Sequence, residues 1–189
     1  MGGVDAAPPP DAMPLSPPPG PADHAAGPAE GAVTLVHYGD FECPYSKDVH
    51  DIVAEIRQAH PDGVRLVFRH FPLRPHPHAL GAALAAEEAG RQGGFWPFHD
   101  RLFGHQLALR PDQLAEHAEA VGLDGAAVRE AVRAETGRAE ILAQKRAGVR
   151  AGVRSTLNLW IDGELFEEDS LETALVDRVI RPLQARGGA

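Results

Sequence analysis

The sequence predicts an α/β fold of order β-α-β, then a run of helices, then β-β-α, and three observations point to it. A strand-forming run ends at a turn that opens an amphipathic helix, and a second, almost continuously apolar strand follows. A long middle stretch has helical spacing throughout. A short hairpin and a final amphipathic helix close the chain.

The first element is Ala32-Val33-Thr34-Leu35-Val36-His37-Tyr38, rich in strand formers and stopped by Gly39-Asp40. After Cys43-Pro44, the residues Val49, Ile52, Val53 and Ile56 recur along one helical face, and Pro61-Asp62-Gly63 ends that helix. The stretch from Val64 to Phe71 reads as a strand buried on both faces, which implies a parallel or mixed sheet. From His78 to about Arg154 the pattern is helical, with breaks expected at Gly93-Gly94, Arg110-Pro111, Gly122 to Gly125 and Gly137, enough for four or five short helices. Leu157 to Ile161 reads as a strand, and Asp162-Gly163 turns it into Glu164-Leu165-Phe166. A helix from Ser170 carries Leu171, Leu175 and Val179 inward and is expected to end at Pro182.

Residues 1 to 30 hold nine of the 17 prolines and no Lys, Arg or aromatic residue, so they read as a disordered, extended tail. The folded domain is accordingly expected over 31–186, with a helical insertion at about 76–150. At 189 residues the chain suits one domain. Its net charge of −9, from 27 acidic and 18 basic residues, repels a phosphate backbone and argues against nucleic-acid binding. No run approaches the roughly 18 apolar residues of a membrane span, and the N-terminus lacks the basic and apolar regions of a signal peptide. The expectation is a cytoplasmic protein with no membrane partner.

A single cysteine allows no intrachain disulfide, which leaves Cys43 as buried filler, intermolecular partner or reactive thiol. It stands where a strand has ended and a helix begins, with Pro44 at the helical position that tolerates a missing N–H. The thiol is expected to be exposed and to face free amides, which with the helix dipole favour the thiolate, while Glu42 opposes this. Core filling fits such a turn poorly.

Several segments then carry a family resemblance. Tyr38-Gly39-Asp40-Phe41-Glu42-Cys43-Pro44-Tyr45, Arg69-His70-Phe71-Pro72-Leu73, His76-Pro77-His78-Ala79 and Phe95-Trp96-Pro97-Phe98-His99-Asp100 resemble the DsbA-like thiol-disulfide oxidoreductases of the thioredoxin superfamily. The resemblance spans about residues 20 to 183 and implies a thioredoxin-like fold with an inserted helical subdomain. It also implies an active site made of the cysteine turn and the loop before the third strand. By it, Cys43 is the nucleophile, Pro44 and Tyr45 shape its turn, and Thr156 and Leu157 line the substrate side.

Two departures alter the chemistry. Ser46 replaces the family's second cysteine, and a hydroxyl cannot resolve a mixed disulfide, although it can hydrogen-bond the thiolate. Leu157 stands where the family has a cis-proline, and a cis bond before leucine would cost about 2.5 to 4 kcal/mol, so a trans bond and a reshaped loop are expected.

The implied activity is monothiol exchange on a protein or small-molecule thiol or disulfide, with glutathione or another external thiol as cosubstrate and no tightly bound cofactor. Two alternatives stay open: a glutathione-dependent transferase or isomerase, and a redox-inactive module that binds a protein. His76-Pro77-His78 lacks the companions of a metal site, so no metal is expected. His99 reads as an anchor of the insertion. Lys145, Arg146, Arg150 and Arg154 form a basic helix face that reads first as solvated, with reception of a carboxylate such as glutathione's as the alternative. Oligomeric state is left open.

Overall fold

The computed structural model describes residues 15, 17–29, 33–154, 159–166 and 175–187. Its strands are β1 (His24–Ala26), β2 (Val33–Gly39), β3 (Val64–His70), β4 (Leu159–Ile161) and β5 (Glu164–Phe166). The helices are α1 (Pro44–Ala59), α2 (Ala79–Arg91), α3 (Phe95–Gly104), α4 (Pro111–Ala120), α5 (Gly125–Arg133), α6 (Arg138–Arg150) and α7 (Arg181–Gly187).

The five strands form one sheet in the order β1-β3-β2-β4-β5. β2 and β3 pair in parallel from Val33↔Val64 to Gly39↔His70, across the connection through α1. The other pairings are antiparallel. The β-α-β unit is therefore as expected, and its parallel pair is buried on both faces. Val33, Leu35, Val64 and Leu66 pack with Val49, Val53 and Ile56 of α1 and Val179 near the C-terminus. Val36, Tyr38, Val67 and Trp160 point the other way, toward Phe71 and Val153.

All the anticipated helix breaks occur, each for a local reason. Pro111 opens α4 after Arg110, Asp124 caps α5 by accepting from the N–H groups of Ala126 and Ala127, and Gly137 precedes α6 with φ of 91°. Phe68 and Phe41 bury against Phe95, Phe98 and Phe103 of α3 and the alanines of α2, so the helical insertion sits on the sheet over one shared aromatic core. At the hairpin, Asp162 and Gly163 adopt φ of 49° and 85°, as a two-residue type I′ turn needs.

Two expectations require correction. The stretch to residue 30 is not all tail, because His24–Ala26 is an edge strand paired with Phe68 to Leu66, Leu15 is buried, and Asp23 grips Arg69. The sequence signal is weak because this segment is held chiefly by backbone pairing and one ion pair, with Leu15 its one buried apolar side chain among the described residues. The last helix also does not stop at Pro182, while its expected start at Ser170 and Leu171 lies outside the described residues. Residues Val176–Ile180 make a π-turn in which the Arg181 N–H reaches the Val176 carbonyl, and α7 continues beyond. That widened turn accommodates a proline whose ring and missing N–H disfavour an ordinary α-turn.

Candidate active site around Cys43

Cys43 is the N-cap of α1, with φ −84° and ψ 124°, and Pro44 occupies the first turn. The strand β2 ends four residues earlier, so the cysteine stands beyond the C-terminal end of the sheet's central strand, where the chain enters the helix. Pro44 and Tyr45 are exposed, Tyr45 to 57%, and flank the thiol with an apolar surface. Cys43 itself is only 3% exposed, which corrects the expectation of an open thiol. The turn is held down by Gln106, just beyond α3, whose Nε2 donates to the carbonyls of Phe41 and Cys43 at 2.8 and 2.9 Å.

Asp40 organises this turn. Its backbone carbonyl accepts from the Cys43 N–H at 3.1 Å, and its carboxylate accepts from the N–H groups of Glu42 and Leu73, each at 2.8 Å. The same carboxylate lies 2.8 Å from His76 Nδ1. With its side chain fully buried, Asp40 thus ties the cysteine turn to the loop between β3 and α2.

Ser46 is also fully buried, and its Oγ accepts from the Asp40 N–H at 3.0 Å. One lone pair of the hydroxyl is thus committed to the turn, and Cys43 lies three residues back along the chain. Glu42 turns elsewhere: its Oε2 accepts from the His78 N–H at 2.6 Å, at the start of α2. Its charge complements that helix end. Thr156 and Leu157 lie outside the described residues.

Beside the His76 loop runs a groove of about 710 Å³ between Pro72–Pro77 and α6, whose described lining includes Arg74, Arg138, Lys145, Arg146 and Arg150 and no carboxylate. Of the basic face anticipated from the sequence, Lys145, Arg146 and Arg150 border this cavity, whereas α6 ends at Arg150 and Arg154 is not among the lining residues. Lys145 is partly committed inside the fold, donating to the Pro72 carbonyl and lying over the Phe71 ring.

His99 is buried on α3 as an anchor, its Nδ1 2.8 Å from Asp100 Oδ1. Burial lowers its pKa to about 4, against the opposing pull of Asp100. Asp40, His76 and Gln106 are site residues that sequence reading missed. Asp40 looks like a strand-ending turn residue, and Gln106 is brought to Cys43 only by the packing of α3.

Comparison with known proteins agrees with this architecture. The model of the thioredoxin family matches residues 20–179. BdbD from Bacillus subtilis superposes with a TM-score of 0.76 at 20% identity, covering 85% of this chain and 92% of that one. A thioredoxin-like oxidoreductase from Silicibacter pomeroyi DSS-3 gives 0.74 at 29% identity over 90% and 95% of the two chains, and alpha-DsbA1 from Wolbachia pipientis 0.72 at 17% over 89% and 96%. Among curated sequences, the Na(+)/H(+) antiporter NhaA 1 of Salinispora arenicola is 41% identical over 142 residues, 75% of this chain but 22% of the antiporter. The chain thus spans about a fifth of that relative's length, and the likeness is to one segment of it. Fold, cysteine turn and family match converge on one conclusion: the chain belongs to the thioredoxin family, with a fold like that of the DsbA-type proteins and one cysteine in the Cys43-Pro44-Tyr45-Ser46 turn.

Proposed function

We propose that the protein is a monothiol thiol-disulfide oxidoreductase whose nucleophile is Cys43 and whose second substrate is an external anionic thiol, glutathione being the fitting example. The observation that carries this reading is the placement of the chain's single cysteine at the N-cap of α1 beside the buried hydroxyl of Ser46. The Cys43 thiolate attacks a glutathione mixed disulfide, forms Cys43–S–S–glutathione and releases the substrate thiolate. A second glutathione thiolate attacks that bond, leaves as glutathione disulfide and returns the Cys43 thiolate. Each step exchanges one disulfide bond for another: the substrate leaves as its thiolate, one free glutathione is consumed and glutathione disulfide is formed, so the sequence balances without a second protein thiol.

Ser46 supports the thiolate as a hydrogen-bond donor, and Pro44 and Tyr45 present the apolar rim. Thr156 and Leu157 complete the substrate side in this reading. The cationic groove beside His76 supplies the guanidinium partners that the carboxylates of an anionic thiol seek. A reducing compartment such as the cytoplasm provides that thiol. The test is turnover of a glutathionylated peptide with glutathione, compared with an uncharged thiol of matched reactivity. Faster turnover with glutathione, abolished in Cys43→Ser, supports the reading, and glutathione conjugation without disulfide reduction favours a transferase instead.

A further inference from the structure

The pleat of the sheet puts three potential metal ligands together away from the cysteine turn. His24 on β1 is the register partner of Phe68 on β3, and His70 follows Phe68 by two residues, so both imidazoles emerge on one face of the sheet. Glu87 comes down on them from α2. Its Oε1 lies 3.2 Å from His24 Nε2 and 3.0 Å from His70 Nε2, and the three ligand atoms fall within 4.8 Å of one another.

We propose that His24, His70 and Glu87 bind one divalent transition-metal ion of the zinc type, which fastens the N-terminal strand to the domain. Two imidazoles and a carboxylate suit zinc, cobalt or nickel better than magnesium or calcium, which take oxygen ligands. With bonds of about 2.0 Å, neighbouring ligands of a tetrahedral ion stand roughly 3.3 Å apart, close to the separations here.

The buried histidine supplies an independent sign. His70 is 1% exposed, and neither of its ring nitrogens makes a well-aligned hydrogen bond, although Nε2 is near Glu87. The carboxylate therefore sits off the ring axis, as it does when an ion rather than a proton lies on that axis.

The site is preorganised and reachable. The His24 ring stacks on Phe95 with centroids 3.5 Å apart and planes 4° from parallel, and a Cβ on Gly90 would lie 2.8 Å from His24 Cε1. The side chains of His24 and Glu87 remain about one-fifth exposed, 21% and 20%, which leaves a path for the ion and for a water as fourth ligand. A second group, His50, His99 and Asp100, is looser, with His50 Nδ1 4.0 Å from a carboxylate that is 61% exposed.

The experiment titrates Co²⁺ and then Zn²⁺ into the metal-free full chain carrying Cys43→Ser, which removes the thiol as a ligand. The expected result is one ion per chain, a visible absorption band of tetrahedral cobalt displaced by zinc, and an unfolding midpoint that rises with metal concentration. His24→Ala and Glu87→Gln, checked for folding by circular dichroism, each weaken binding by at least about tenfold, whereas His50→Ala does not. Absence of the cobalt band, or unchanged affinity in both His24→Ala and Glu87→Gln, overturns the proposal.

Discussion

The Asp40 carboxylate and His76 Nδ1 lie 2.8 Å apart, and this contact joins the loop bordering the cationic groove to the turn that presents Cys43. A carboxylate only accepts, so Nδ1 of His76 carries the proton in this contact. The turn and the groove are thereby one mechanical unit.

Replacing Asp40 tests that unit. Asp40→Ala strands the N–H groups of Glu42 and Leu73 together with His76, and is expected to cost about 3 kcal/mol in urea unfolding. Asp40→Asn keeps one acceptor oxygen and loses less. Equal stability of parent and Asp40→Ala would show that the turn is held otherwise.

Ser46 carries two separable roles. Ser46→Ala leaves the buried Asp40 N–H without its 3.0 Å acceptor and is expected to cost about 1 to 3 kcal/mol. Ser46→Cys instead supplies a resolving thiol, and its mixed disulfide with glutathione is expected to collapse to an internal disulfide between Cys43 and the introduced sulfur. Intact mass reads the difference, a retained glutathione in the parent against a loss of two hydrogens in the variant.

Residues 17 to 29 contribute to stability through Arg69. That guanidinium, 3% exposed, is bound by Asp23 at 2.8 and 2.9 Å, by the carbonyls of Pro17 and Pro18, and by the Tyr38 hydroxyl. Removing residues 1 to 28 leaves a buried charge without its counter-ion, at a cost of about 3 kcal/mol. The unfolding midpoint is then expected to fall by roughly 6 to 12 °C for a chain of this size. An unchanged midpoint would mean that Arg69 finds solvent or another acceptor.

Acid lability has an assignable part. His99 titrates near 4 in the folded protein because it is buried, against about 6.5 unfolded. The unfolded chain therefore binds the proton first. His99 has no effect on stability above about pH 6.5, and destabilises progressively as pH falls toward 4, by up to about 3 kcal/mol. His99→Phe is expected to flatten the stability slope in that window by up to one proton, whereas an unchanged slope assigns it to other histidines.

How far sequence alone reaches depends on what holds each element. The β2-α1-β3 unit announces itself because Val33 to Tyr38, Val49 to Ile56 and Val64 to Phe71 bury apolar faces with clear periods. Pro111 and Gly137 mark helix starts by their own backbone chemistry. His24–Ala26 gives no such sign, since three residues in a Pro, Ala and Gly context become a strand only by pairing with the free edge of β3. Cys43 and Ser46 stand out through the Cys-Pro turn, but the burial of Cys43 draws on Gln106, 63 residues away. His24, His70 and Glu87 share no motif spacing, because sheet register and helix packing, not sequence proximity, bring them together.

The central claim, that Cys43 is an exchange-competent thiol despite being 3% exposed, is tested most directly by intact mass of the native protein incubated with oxidised glutathione. The account predicts one glutathione adduct per chain, absent in Cys43→Ser and removed by reduced glutathione. A folded parent that forms no adduct, or an adduct that reduced glutathione does not release, would contradict it.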